Sequence, residues 1–169
     1  WYRSRRTNTR WCEKTPMNVK HIGRIEKYLN KGFRFIHIIR DGRDVLTSKH
    51  PRDPKHYWVP IKRWVNDVRR GLEFREHFCV LTIRYEDLVN SFSETIEEVC
   101  RFIDEHPDKA MYKWYENSNV KKSGAWFNSY QGLHNYSRRK WERPEHRERY
   151  KEIMNNPEAV ELLRELGYI

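Results

Sequence analysis

The sequence predicts an α/β domain in which a parallel sheet is flanked by helices in a three-layer arrangement. Two short apolar runs, residues 33–39 and 78–83, have the length and composition of buried strands. Between them, residues 59–77 repeat apolar side chains at helical spacing. This order of strand, helical segment and strand favours parallel pairing through a right-handed crossover.

The elements around the first strand follow from spacing and from turn residues. Residues 21–29 have helical spacing and stop near Gly32, ahead of the strand. Residues 42–49 follow the strand as a helix that Pro51 closes, and residues 51–57, rich in Pro, His and Lys, predict a loop. The first strand is therefore expected to run directly into a short helix.

The second half of the chain continues the alternation. Residues 91–103 predict a helix in which Ser91 and Glu94 have the spacing of a capping box. Residues 105–135 carry several aromatic side chains among polar residues and predict a loop anchored by those aromatics. A terminal helix follows, and it ends in Leu-Gly-Tyr at residues 166–168.

The most informative segment reads Arg-Asp-Gly-Arg-Asp-Val-Leu-Thr-Ser at residues 40–48, directly after the first strand. Arg40 stands at the carboxyl edge of the sheet, where open α/β folds bind ligands. Ser48 falls about two turns into the following helix, so a guanidinium and a hydroxyl converge on one phosphate. The alternative interpretation is a solvated ion-pair network of the four charged residues, with Ser48 as an ordinary helix residue.

The same segment resembles the 3′-phosphate-binding motif of sulfotransferases that use 3′-phosphoadenosine 5′-phosphosulfate (PAPS). Three other stretches match that family in the right order: Glu-Lys-Thr-Pro at residues 13–16, Arg-Tyr-Glu-Asp-Leu at residues 84–88 and Ser-Arg-Arg-Lys-Trp at residues 137–141. The resemblance covers about residues 11–168. It implies a P-loop NTPase-like sulfotransferase fold.

The resemblance also implies an activity and a set of site residues. The implied reaction moves a sulfuryl group from PAPS to a hydroxyl or amine acceptor and leaves 3′-phosphoadenosine 5′-phosphate (PAP), without a metal. Arg40 and Ser48 are implied to bind the 3′-phosphate, together with Arg138 or Arg139. Lys14 is the candidate catalytic residue, because a cation there would oppose the negative charge that builds on the leaving oxygen.

The chain departs from the family pattern at two places. The glycine-rich loop that holds the 5′-phosphosulfate has no counterpart, since residues 1–10 contain no glycine. We therefore expect residues 1–10 to be a basic arm or linker, and residues 11–169 to be the C-terminal two thirds of a sulfotransferase-like domain. In addition, Pro16 occupies the place of the catalytic histidine of the cytosolic enzymes, and proline cannot accept a proton.

Two motif segments have a structural interpretation beside the functional one. The acidic residues of the stretch 84–88 are expected to bond local backbone or arginine groups rather than to perform acid-base chemistry. Trp141 either packs on the domain or stacks on adenine, and packing is favoured. His37 lies in mid-strand, which is typical of a buried core histidine.

The formal net charge of +10 predicts an anionic partner. Interleaved arginines and aromatics in residues 1–10 would also suit single-stranded nucleic acid. However, no nucleic-acid-binding motif is present, and a nucleotide donor with an acidic acceptor accounts for the same charge. We therefore expect no nucleic-acid partner.

Composition restricts the remaining classes of protein. The three cysteines lack Cys-x-x-Cys spacing, which favours buried thiols over a disulfide framework, and the histidines lack the helical spacing of a zinc pair. No apolar stretch approaches the roughly 20 residues of a membrane span, so a soluble domain of the cytoplasm or the Golgi lumen is expected. Two rival functions stay open: a non-catalytic domain that binds a nucleotide or an anionic glycan, and a relative of the P-loop kinases.

Overall fold

The computed structural model describes residues 10–30, 32–50, 53–116 and 137–169. Within these ranges the strands are β1 (Phe35–Ile39), β2 (Lys49–His50), β3 (Asp53–Tyr57) and β4 (Val80–Arg84). The α-helices are α1 (Ile22–Leu29), α2 (Gly42–Leu46), α3 (Ile61–Leu72), α4 (Tyr85–Asn90), α5 (Phe92–Phe102), α6 (Lys109–Tyr112), α7 (Arg147–Met154) and α8 (Pro157–Glu165). Short 3₁₀ helices span Pro16–His21, Lys140–Glu142 and Pro144–His146.

Strands β1 and β4 pair in parallel, with Phe35 opposite Val80 and Ile39 opposite Arg84. The predicted parallel pairing is therefore confirmed, and the segments that follow the two strands begin at the same edge of the sheet. The described residues form a mixed α/β architecture with this small parallel sheet. On one side of β1 the side chain of Ile38 is 53% exposed, so the described helices do not cover that side as a three-layer arrangement requires.

The main core lies between β1, α2, α3 and the last two helices. Its buried side chains are Ile39, Leu46, Trp64, Val65, Val68, Ile153, Ala159, Leu162, Leu163 and Leu166. Helix α2 is pressed against α3 at its first residue, because a Cβ added at Gly42 would lie 2.3 Å from the Trp64 indole. Only glycine allows this approach, and it places the start of α2 close to the core.

His37 is a buried core residue, as its mid-strand position predicts. Its imidazole packs against α3 at Gly71, where an added Cβ would lie 2.1 Å from the His37 Cε1 atom. Burial lowers the pKa of His37 below its usual value, because the charged imidazolium would lose its hydration there.

Two predictions about the segment after β1 are wrong. Helix α2 ends at Leu46, so Ser48 lies beyond the helix rather than two turns into it. Instead of the expected loop, β2 and β3 pair as antiparallel strands. Beside the pair, the Trp58 N–H donates to the Ser48 carbonyl at 2.9 Å. Pro54 is compatible with β3 because a two-stranded ribbon leaves an open edge.

Three smaller expectations also differ from the structure. Ser91 precedes α5 but its side chain makes no capping hydrogen bond. The terminal helix is divided into α7 and α8, and the Asn156 side chain caps the second by accepting the Ala159 N–H at 2.9 Å. The cysteines are free thiols, of which Cys79 and Cys100 are buried as expected, whereas Cys12 is exposed.

Candidate anion-binding site

The buried ion pair of Asp41 and Arg43 anchors the start of α2 at the carboxyl edge of the sheet. Asp41 caps the helix by accepting the Arg43 N–H at 2.9 Å, and its carboxylate accepts from Arg43 Nη2 at 2.7 Å. The Arg43 guanidinium also donates to the Tyr168 carbonyl at 2.9 Å and lies 4.1 Å from the Trp141 ring centroid. These contacts bind the Arg43 guanidinium to Asp41 and to the carboxyl-terminal segment, which indicates that Arg43 has a structural role.

Arg40 is held differently from Arg43. Its Nη2 donates to the Ser137 carbonyl and lies 3.7 Å from Asp44 Oδ2, while the guanidinium covers the Tyr85 ring at 4.3 Å. Among the described residues, Arg40 Nε is buried and has no hydrogen-bond partner. A buried donor without a partner costs free energy, and this cost falls on a residue of the candidate site.

Asp44 joins this arginine to the carboxyl-terminal segment. Its carboxylate accepts the backbone N–H of Arg139 at 2.9 Å and that of Lys140 at 2.7 Å. Its backbone carbonyl accepts the Ser48 hydroxyl at 2.9 Å. The segment of residues 40–48 and the carboxyl-terminal segment of residues 139–140 therefore meet at one residue.

Lys140 completes the cluster by donating from Nζ to Ser48 Oγ at 2.9 Å. Burial lowers the pKa of Lys140, and the nearby Arg40 guanidinium lowers it further, while Asp44 acts in the opposite direction. A guanidinium, an ammonium and a hydroxyl around a single carboxylate leave one net positive charge. This donor set suits a phosphate or sulfate group.

The structure brings Arg40 and Ser48 to the same site, and the segment with Arg138 and Arg139 lies beside them. The side chains of these two arginines bond elsewhere: Arg138 donates to Asn90 Oδ1 at 2.7 Å, and Arg139 donates from Nε to Glu142 Oε1 at 2.8 Å. Lys140, which the sequence interpretation did not select, supplies the side chain that faces Ser48.

The backbone explains why Lys140 takes this position. Arg139 has a left-handed conformation with φ of 54°, an uncommon state for a residue other than glycine. It sits just before the 3₁₀ helix and redirects the chain between Arg138 and Lys140. The only sequence signal was a third basic residue in the run 137–141, and no spacing rule showed which one points inward.

Lys14, the candidate catalytic residue, belongs to the exposed segment that precedes the first 3₁₀ helix. It is exposed, and no contact among the described residues joins it to Arg40 or Ser48. The neighbouring Glu13 carboxylate accepts hydrogen bonds from the Thr15 hydroxyl and the Asn18 amide, so it is engaged locally.

Glu86 has the structural role that the sequence predicted for this stretch. It accepts the Asp41 N–H at 3.1 Å and the Tyr168 hydroxyl at 3.0 Å, which fastens the end of β1 to the carboxyl terminus. Burial raises the pKa of Tyr168, and the Glu86 carboxylate raises it further. Trp141 likewise packs, stacked on Tyr150 at a centroid distance of 5.1 Å.

Other kinds of site are not seen in the described ranges. There, no group of three or more His, Cys, Asp or Glu side chains is arranged to hold a metal ion. Nor do those ranges contain a helix with the length and apolar character needed to cross a membrane. Trp126, Phe127 and Tyr130, which are among the aromatic residues predicted to anchor the loop of residues 105–135, lie outside the described residues.

The model of the sulfotransferase family matches residues 1–109, which include the first strand and the motif that follows it. Neither the curated proteins nor the solved structures contain a significant match.

Proposed function

The chain belongs to the sulfotransferase family, and from this premise we propose that it moves a sulfuryl group from PAPS to a hydroxyl or amine acceptor. The observation that carries the proposal is the cluster of Arg40, Ser48 and Lys140 at the carboxyl edge of the sheet. Lys140 Nζ and Ser48 Oγ are in contact, and Arg40 is linked to both through Asp44. This donor set fits the 3′-phosphate of the nucleotide.

The chemistry of the donor set supports a doubly charged phosphate rather than a neutral ligand. Arg40 offers a planar fork with a buried, unpartnered Nε, and Lys140 offers a compact point charge. The Ser48 hydroxyl donates its proton to the Asp44 carbonyl, so it must turn this proton toward the ligand to bind a phosphate. Arg138 and Arg139 are also proposed ligands, but each must first leave its present partner, Asn90 or Glu142.

The other finer parts of the proposal rest on the family. We propose that the domain spans residues 11–169 after a basic arm of residues 1–10, with a three-layer P-loop-like sheet. Lys14 is proposed to steady the transferring group by placing a cation beside the negative charge that develops there. When bound, PAPS supplies the sulfuryl group: its bond to the donor phosphate breaks as the bond to the acceptor forms, and PAP is released.

Calorimetric titration with PAP tests the proposal, with adenosine 5′-phosphate as the control ligand. The two ligands differ only in the 3′-phosphate, so the proposed site predicts binding that requires this group. A labelled sulfuryl group on PAPS then tests transfer to a panel of hydroxyl and amine acceptors. Equal affinity for both nucleotides would contradict the assignment of the site.

The second candidate function is a non-catalytic domain that binds the nucleotide. It is favoured by the local bonding of Glu13, beside Lys14, which makes no contact with the anion site among the described residues. This candidate predicts selective PAP binding without transfer from PAPS to any acceptor. Transfer to one acceptor would eliminate it.

A further inference from the structure

We infer that Asp44 is the positioning residue of the anion site, whose carboxylate and carbonyl hold the three phosphate-binding groups in place. The inference rests on the proposed nucleotide-binding function, and it adds a residue whose negative charge would by itself repel a phosphate. Asp44 is nearly fully buried, with 3% of its side chain exposed. A buried carboxylate at this place needs several partners.

The carboxylate holds the carboxyl-terminal segment through two backbone hydrogen bonds. Arg139 N–H and Lys140 N–H donate to different oxygens of Asp44, across 95 and 96 positions of sequence. Each oxygen therefore has its own donor, and the pair of bonds defines both the position and the orientation of the segment. An amide side chain offers only one acceptor oxygen, so it cannot reproduce both bonds.

The same residue orients the other two groups. The Asp44 carbonyl accepts the Ser48 hydroxyl proton, which leaves Ser48 Oγ free to accept from Lys140 Nζ. The carboxylate lies 3.7 Å from Arg40 Nη2. Through Asp44, the guanidinium, the hydroxyl and the ammonium are arranged before any ligand binds, which reduces the cost of ordering them on binding.

Charge balance supports this role. Without Asp44, the site would hold the cations of Arg40 and Lys140 close together in a partly buried place. Their mutual repulsion would favour loss of a proton from Lys140 or displacement of its segment. The neighbouring Asp41 cannot substitute, since its carboxylate is occupied by Arg43.

The first test compares Asp44→Asn with the wild-type protein by calorimetry, using PAP and adenosine 5′-phosphate. The readout is the affinity for PAP divided by the affinity for adenosine 5′-phosphate, because general destabilisation of the protein affects the binding of both ligands alike. We expect this ratio to fall by about tenfold or more in Asp44→Asn, which corresponds to the loss of one charge-assisted hydrogen bond. The matched control is Glu86→Gln, which alters another carboxylate at the same edge and should keep the wild-type ratio.

The second test needs no nucleotide and so separates this inference from the proposed function. Hydrogen exchange is measured at the backbone amides of Arg139 and Lys140, in the wild-type protein and in Asp44→Asn. We expect protection in the wild type and its loss in the variant. Rapid exchange of both amides in the wild type overturns the inference, even if Asp44→Asn fails to fold.

The outcomes distinguish the two proposals. A wild-type protein that binds PAP and adenosine 5′-phosphate equally contradicts the proposed function, and the exchange experiment then decides the role of Asp44 alone. A wild-type preference for PAP that Asp44→Asn retains in full supports the function and overturns the inference about Asp44.

Discussion

The segment around α2 and residues 13–18 of the amino-terminal segment hold their carboxylates in opposite ways. At α2, the carboxylate of Asp44 is buried and bonded to residues about a hundred positions away. In the amino-terminal segment, the exposed Glu13 is bonded to Thr15 and Asn18, within five positions. At α2, long-range contacts arrange the anion site before a ligand binds. Around Lys14, the bonds of Glu13 are local, so they do not fix the position of Lys14 relative to the rest of the protein.

The largest effect is expected in stability, when Gly42 at the start of α2 and Gly23 of α1, the helix that follows the amino-terminal segment, are each replaced by alanine. In Gly42→Ala the new Cβ would meet the buried Trp64 indole at 2.3 Å, so we expect the free energy of unfolding to fall by about 1–3 kcal/mol. In Gly23→Ala, within α1, the nearest atom is 3.7 Å away at Phe74. Alanine there should stabilise the helix by about 1 kcal/mol.

Urea unfolding followed by circular dichroism measures both variants. If Gly42→Ala unfolds at the wild-type urea concentration, the close packing of α2 on α3 is refuted.

Nucleotide affinity gives the next largest effect. Arg40→Ala removes the guanidinium of the proposed site, so we expect affinity for PAP to fall by about 10- to 100-fold while affinity for adenosine 5′-phosphate is unchanged. The control is Arg34→Ala, just before the other end of β1, where the side chain pairs with Asp104 at 3.1 Å. Calorimetry that finds equal losses of PAP affinity for the two variants would count against the site.

A comparison within the basic run 138–140 sharpens the assignment of Lys140. Lys140→Met keeps an unbranched side chain but removes the charge beside Ser48, and we expect PAP affinity to fall by about tenfold. In Arg139→Met the bond to Glu142 is lost, and the affinity should fall by less than in Lys140→Met, because Arg139 must leave Glu142 before it can bind the phosphate. The opposite ranking in calorimetric titrations would show that Arg139 turns inward to bind the phosphate.

The pH dependence of binding tests the same cation. Burial and the Arg40 guanidinium lower the pKa of Lys140, so its ammonium is lost at a lower pH than that of an exposed lysine. Since the phosphate binds the protonated form, PAP affinity should decrease as the pH rises through this pKa. The decrease should disappear in Lys140→Met and persist in Lys14→Met, as measured by titrations across an alkaline series.

The smallest effect on binding is expected in the amino-terminal segment. Lys14→Met should leave PAP affinity within about twofold of the wild type, because an exposed lysine contributes little to a ground-state contact. If Lys14 has its proposed role, the same variant should lower the rate of sulfuryl transfer. A large loss of PAP affinity, with the transfer rate unaffected, would place Lys14 in the binding site instead.

Much of the fold and half of the site could be predicted from local patterns. The strands β1 and β4 could be recognised from short apolar runs. Helix α3 could be recognised because its apolar residues recur at helical spacing, which differs from that of a strand. Arg40 was predicted as a site residue because it directly follows a strand. The hairpin of β2 and β3 was missed, since its strands are short, polar and interrupted by Pro54.

The sequence by itself determined which residues stand at the carboxyl edge of the sheet, because Arg40 directly follows the last residue of β1. Only the tertiary structure decided which cation of the carboxyl-terminal run meets Ser48. That choice depends on the left-handed backbone at Arg139 and on two hydrogen bonds to Asp44. Contacts across nearly a hundred residues leave no periodic signal in the chain, since they depend on how the packed core brings α2 and the last helices together.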